Sequence, residues 1–441
     1  MELQNISATK ELLSFIRKSP TAFHAVDSIA AQLKENGFSP LNEGDNWNLI
    51  PGNGYYVTRN QSSVIAFRLP KAKPVSMMIS ASHTDSPMFK LKGNYLSPAF
   101  GQYMRLNTEV YGGTILSSWM DRPLSLAGRV ILKKDGCFQS LLVNIEKDLL
   151  LIPNVAIHCN RTVNSGYTFN PAVDMLPLLT QGDDKDVLNQ LLATELGCDK
   201  EDICGMDLYV YCRTDGSVWG AGEEFFSAPR IDNLMCAYCT LQGFLQAESK
   251  NTVTVYYSAD NEETGSATKQ GAGSQFLSDV LDRICSATGM DRKRALASSM
   301  MVSADNGHAK HPNHPELSDG QNAPHMNGGV VIKSNAAQKY ATDGISSAIF
   351  EEICHQAEVP VQRCANRSDM PGGSTLGSIS NTLVPLITVD IGMAQLAMHS
   401  SYETAGCADV SYLTRAMKSF YESSLIATGD GFYRLAENGG K

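Results

Sequence analysis

Acidic and imidazole side chains stand at the edges of apolar runs in five places along the chain. His83 and Asp85, spaced as His-x-Asp, follow the apolar run 75–80. The doublet Glu262-Glu263 follows 253–257, Asp305 follows 298–303, and His399 follows 382–391. Asp232 stands just before a helical pattern over 233–246. Singly, each has an ordinary reading: a chance dipeptide spacing, a helix N-cap at Asp232, a solvated glutamate pair, a turn at Asp305-Asn306-Gly307, a packed core histidine. Jointly they match a chemistry, because imidazole and carboxylate donors suit zinc, manganese or cobalt. Two divalent ions about 3.5–4 Å apart need a bridging anion and terminal ligands on each side. One bridging carboxylate, two histidines and two more carboxylates supply them. A further carboxylate that is not a ligand would accept a proton from water. The glutamate doublet can supply both kinds of group, since neighbouring side chains diverge. In an extended segment Asp85 shares a face with His83 and can orient its ring.

These groups need elements that bring them together. Apolar runs alternate with helical patterns at 233–246, 273–286 and 344–357, which predicts an α/β sheet with much parallel pairing. In open sheets of that kind, ligands bind beyond the carboxyl ends of the strands. Two helices are expected first. One carries Leu12, Leu13, Phe15 and Ile16 near one face; the next is opened by Ser19 as N-cap with Pro20 in its first turn, carries Phe23, Val26, Ile29, Ala30 and Leu33, and ends at Gly37. His24 reads as a packed helix histidine. The middle of the chain differs, with short β-like runs at 130–133, 140–145 and 207–213 and turns at Asp135-Gly136 and Asp215-Gly216. The expected division is an α/β domain over 1–91 and 228–441, interrupted by a β-rich domain over 92–227. Residues 160–186 have little periodicity.

The chain has 441 residues, ordinary globular composition and a net charge of −10, which disfavours a nucleic-acid partner. Its 11 cysteines are an odd number in a large chain, so no complete disulfide framework is implied. Cys236-x-x-Cys239 lies in a helical pattern and reads as buried thiols. Scattered thiols, the lack of an apolar signal core and the lack of a run of about 20 apolar residues point to the cytoplasm rather than a membrane.

The segments SASHTDSPMFKLK, SAPRIDNL, DNEETGS, SADNGHAKHPNH, NAAQKYATDG, MPGGSTLG and AMHSSYETAG occur in an order that resembles the aspartyl aminopeptidase family, as do the N-terminal helices and IPNVAIHCNR. The resemblance covers nearly the whole chain. It implies a metallopeptidase sheet with flanking helices and a β-rich insertion, removing the N-terminal residue from peptides that begin with Asp or Glu. By that resemblance His83, Asp232 and Asp305 hold one zinc ion, while Asp232, Glu263 and His399 hold the second. Glu262 is then the general base and Asp85 orients His83. His158 would reach a neighbouring subunit's site, and Lys333, Tyr340, Gly372, Gly373 and Ser374 would lie near the substrate. A closed homododecamer built from dimers is also implied. The segment after Asn313 departs from the family pattern, and His308, His311 and His314 read as structural. Two other readings of the chain are a metal-dependent amidase or deacylase of acylated amino acids, and a non-catalytic assembly or cargo protein that keeps the fold.

Overall fold

Residues 2–437 are described by the structure, a computed structural model. Its centre is a nine-stranded sheet. Four neighbouring strands at its middle run parallel in the order Thr252–Ala259, Ser76–His83, Met300–Ala304 and Ile387–Gly392. The first two are buried along their whole length, as expected of strands covered on both faces. Alternate residues serve the two covers. Met78 and Tyr256 pack under the helices Glu2–Lys18, Ala22–Glu35, Ile231–Gln246 and Cys407–Glu422, while Met77, Ile79, Val255 and Tyr257 pack on the other face under Phe276–Thr288. A strand with both faces in a core lacks an exposed polar face, and its few polar residues, such as Ser80 and Ser82, are small and buried. That is why these runs read as continuous rather than alternating.

A second, six-stranded sheet is antiparallel and has its own apolar core around Phe89, Leu106, Leu126 and Leu208. Its strands are Met88–Ala99, Tyr103–Tyr111, Leu124–Lys134, Cys137–Asn144, Leu178–Gln181 and Ile203–Cys212. Asp135 and Gly136 both take positive φ, 52° and 79°, and close a tight hairpin between two of them. A five-stranded sheet joins Ser217–Trp219 and Phe225–Ala228 to Glu403–Gly406, Ala394–Leu396 and Gly307–His308.

Three local expectations are corrected. The second helix begins at Ala22 with Thr21 as N-cap, not at Ser19. The Ser19 carbonyl instead accepts a hydrogen bond from the Arg230 guanidinium, and Ala25 N–H closes onto Thr21. Residues 382–391 are not one strand. Leu376–Leu383 is helical because Leu376, Ile379 and Leu383 share a buried face, and the strand is Ile387–Gly392. The run 298–303 starts its strand only at Met300, because Ser299 bonds back to the Ala295 carbonyl at the end of the helix Arg292–Ala297. In the stretch of weak periodicity lie a one-turn helix, Pro171–Asp174, and the edge strand Leu178–Gln181. His24 is a half-buried helix residue beside the Thr21 hydroxyl, and burial with the charge of Arg230 pushes it down to about 4.

Candidate metal centre

The carboxyl ends of the central strands open onto one group of acidic and imidazole side chains. His83 ends its strand, and Glu262 and Glu263 form the turn Glu262–Thr264 shortly after Thr252–Ala259. Asp305 immediately follows Met300–Ala304. His399 lies in the loop between Ala394–Leu396 and Glu403–Gly406. Asp232 belongs to the first turn of Ile231–Gln246, but it and Asn233 have non-helical dihedral angles, so it is not an ordinary helix cap.

The geometry centres on Asp232. Its Oδ1 lies 3.7 Å from His83 Nε2, and its Oδ2 lies 3.3 Å from His399 Nε2. His83 Nε2 is also 3.5 Å from Asp305 Oδ1, and His399 Nε2 is 3.5 Å from Glu263 Oε2. Two oxygens of one carboxylate thus face two separate histidine–carboxylate pairs. The outer ring nitrogens are engaged elsewhere. His83 Nδ1 meets the Asp85 carbonyl at 3.1 Å and Asp85 Oδ1 at 3.3 Å, and His399 Nδ1 meets the Gly113 carbonyl at 2.7 Å. A proton on each Nδ1 leaves the Nε2 lone pair pointing inward.

Asp85 does more than hold a ring. Its carboxylate accepts the backbone N–H groups of Glu262 and Glu263, each at 3.2 Å, and the Tyr111 hydroxyl at 2.7 Å. Tyr111 in turn accepts from the Asn261 side-chain amide at 2.8 Å. Asp85 therefore fixes His83 and the glutamate doublet together. The six-stranded sheet contributes to this wall, since Tyr111 ends one of its strands. Next to it, Gly112 has φ of 72°, and a Cβ there would fall 3.0 Å from Glu263 Cβ, so any other residue would be strained and would crowd Glu263.

The electrostatics call for positive charge. Burial, then the carboxylates of Asp305, Asp85 and Asp232, push Glu262 up to about 8 against the pull of His83. Burial and Asp232 push Glu263 well above the usual carboxylate range and Glu403 up to about 8. Asp305 is held low against its burial by Lys333 and His83. Asp232 Oδ1 and Glu263 Oε1 are buried and receive no hydrogen bond. Ligand atoms of His83, Asp232 and Glu263 all lie within 4.8 Å of one another. Orphaned, crowded anionic oxygens beside two inward imidazole lone pairs fit divalent cations.

The other candidates are spread differently. Lys333 is buried, with Nζ 2.8 Å from the Asn306 carbonyl, 3.9 Å from Asp305 Oδ2 and 5.6 Å from the centre of the Tyr340 ring. The Gly372 carbonyl accepts from Lys339 Nζ at 2.7 Å, and a Cβ on Gly372 would press on Asn366. Gly373 has open space around it, and Ser374 is exposed. His158 is exposed in the loop after Ile152, and no polar contact among the described residues joins it to the centre. The rings of His311 and His314 lie 5.3 Å apart and tilted near the surface, and His308 lies within reach of the charges of Lys333, Asp232, His399 and Asp305. All 11 cysteines are free, with Cys236 and Cys239 buried. Reading the sequence missed Tyr111, Gly113, Asn306, Gln395 and Glu403. The one visible signal was the Gly112-Gly113 pair; the rest act through contacts between residues distant in sequence or through a buried side-chain network.

Comparison with known proteins finds similarity along nearly the whole chain. The family model described as "Aminopeptidase I zinc metalloprotease (M18)" matches residues 15–421. A protein of Clostridium acetobutylicum named "Probable M18 family aminopeptidase 2" is 45% identical over 423 residues, which cover 93% of this chain and 98% of that protein. A solved chain titled as the Ape4 and Nbr1 complex superposes with a TM-score of 0.92 at 36% identity, covering 96% of this chain and 86% of the other. The mApe1 dodecamer of S. cerevisiae superposes with a TM-score of 0.84 at 27% identity, covering 95% and 97%.

Proposed function

The chain belongs to the M18 family of zinc metallo-aminopeptidases, and from that membership we propose that each protomer binds two cations and cleaves the first peptide bond of peptides beginning with Asp or Glu. That it is a metal-dependent aminopeptidase follows from the family. The dinuclear reading is carried by one observation, the facing of the two Asp232 oxygens toward His83 and His399. In this reading His83, Asp232 and Asp305 hold one cation, and Asp232, Glu263 and His399 hold the other, with zinc as the metal. When bound, such a pair polarises a carbonyl and lowers the pKa of water.

The chain's own residues manage the proton. Glu262 accepts a proton from the attacking water at a carboxylate oxygen, then returns it to the nitrogen of the departing amine. The transfers are sequential, so one carboxylate serves both. Asp85 keeps Glu262 in place through its backbone N–H while holding the ring of His83.

Acidic preference is drawn from the resemblance, with Tyr340, Gly372 and Gly373 placed beside the substrate's first residue. Lys333 has the Asn306 carbonyl as its hydrogen-bond partner, and an ammonium has three donors, so capacity remains for a substrate carboxylate. Peptides beginning with Asp or Glu are expected to show kcat/KM about tenfold or more above Leu and Ala counterparts, the value of one charge-assisted hydrogen bond. Higher kcat/KM for Leu than for both acids contradicts this. An acetylated N-terminus is expected to abolish cleavage; efficient cleavage of blocked substrates would favour a deacylase.

For assembly, we propose a homododecamer of dimers in which the β-rich domain, 92–227, dimerises and restricts access and His158 reaches the neighbour's centre. A structural relative solved as a dodecamer supports it, and Val155 and Ile157, just before His158, are 50% and 47% exposed. Light scattering is expected to give a mass far above 47.8 kDa, and a monomer contradicts the assembly. Eleven free thiols support a cytoplasmic location. Among the described residues no helix is long and apolar enough to cross a membrane.

A further inference from the structure

We propose that Glu403, backed by Gln395 and Asn306, is a positioning residue that holds the backbones of Asp232 and His399 where they can bind cations; this rests on the ligand set proposed above. Glu403 is 1% exposed. Its Oε2 accepts the Asp232 N–H at 2.9 Å, and its Oε1 accepts the His399 N–H at 2.7 Å. One buried carboxylate thus ties together the residue facing both histidines and one of those histidines. Gln395 Nε2 donates to Glu403 Oε1 at 3.3 Å, and Gln395 Oε1 accepts from Asn306 Nδ2 at 2.7 Å. Asn306 Nδ2 also donates to the Ile231 carbonyl at 3.2 Å. Gln395 and Asn306 are 1% and 3% exposed. The network therefore grips both polar groups of the Ile231–Asp232 peptide, the chain beside Asp305 and the backbone at His399.

The backbone needs such a grip. His399 sits at φ of 68° and Arg230, two residues before Asp232, at φ of 58°. A left-handed non-glycine residue is strained and persists only where its surroundings enforce it. A carboxylate can accept at both oxygens. A carboxamide of the same shape must turn its NH2 toward a backbone N–H, or toward the Gln395 amide, on one side. Glu403→Gln is therefore a test of function at nearly constant volume.

Zinc dissociation constants would be measured for wild type, Glu403→Gln, Gln395→Met and His399→Ala by competition with a chromophoric chelator. Melting temperatures would be taken in chelator and in saturating zinc. Glu403→Gln is expected to weaken zinc binding about 10–100-fold, the usual range for a group that orients a ligand. Its melting temperature in chelator should stay near wild type, while the zinc-induced rise shrinks. Gln395→Met should lose affinity in the same direction by less. A wild-type zinc constant in Glu403→Gln overturns the proposal, as does an equal fall of both melting temperatures with that constant unchanged. Should Glu403→Gln not fold, Gln395→Met decides, and wild-type affinity there overturns it. Unchanged zinc binding in His399→Ala would instead remove the ligand set itself. Weakened binding in His399→Ala beside normal binding in Glu403→Gln would remove only the role of Glu403.

Discussion

Glu262→Gln is expected to lower kcat by about 10³–10⁴-fold while zinc content stays at the wild-type level. The substitution keeps the shape of the side chain and the backbone N–H that Asp85 accepts at 3.2 Å. It removes the ability to take up a proton at neutral pH, because a carboxamide is not a base there. A thousandfold loss corresponds to about 4 kcal/mol of transition-state stabilisation. Because Glu262 contributes no ligand atom in the proposed set, KM and metal occupancy should change little. Turnover of a saturating Asp-peptide, read beside zinc per protomer by mass spectrometry, checks both halves. Wild-type turnover with zinc bound rejects the base; loss of zinc would make Glu262 a ligand and Glu263 the candidate base.

Asp232→Asn is expected to do the opposite, emptying the centre and removing activity with it. Asp232 faces His83 through one oxygen and His399 through the other. Asparagine offers one acceptor oxygen and turns an NH2 toward the other side, where a cation would have to sit. It also removes the negative charge that a bridge between two divalent cations supplies. Zinc should fall from about two to below one per protomer, and kcat/KM by more than about 10⁴-fold, toward the limit set by uncatalysed hydrolysis. His399→Ala should lose one cation and keep the other. A single-site variant thereby separates the bridge from a terminal ligand. Asp232→Asn protein that holds two zinc ions and turns over normally contradicts the bridging role.

The ligand candidates were legible because a doubly covered parallel strand is largely apolar, so charged and imidazole residues at or just past its end stand out. His83 closes its strand of the central sheet, and the glutamate doublet and Asp305 come close after theirs. Asp85 was legible as a partner of His83 because the two are neighbours in extended chain. Its contacts to Tyr111 and to the backbone of Glu262 and Glu263 were not, since nothing local in the sequence encodes a contact across 26 or 177 residues. Glu403 was hidden for another reason. A lone glutamate between tyrosine and threonine reads as a solvated side chain, yet its carboxylate is buried on two backbone N–H groups. Lys333 was legible as a cation near the site, but its burial beside Asp305 and its hydrogen bond to the Asn306 carbonyl were not. The boundary that moved around Leu376–Leu383 lies where a short apolar run suits helix and strand alike, whereas at Thr21 two nearby residues, Ser19 and Thr21, could each cap the same helix.

The dinuclear centre is tested most directly by anomalous diffraction at the zinc edge from crystals of the zinc-loaded enzyme. Two peaks per protomer are expected, one between His83 and Asp305 and one between His399 and Glu263, with Asp232 between them. A single fully occupied peak, or peaks away from Asp232, would contradict the shared carboxylate and the chemistry built on it.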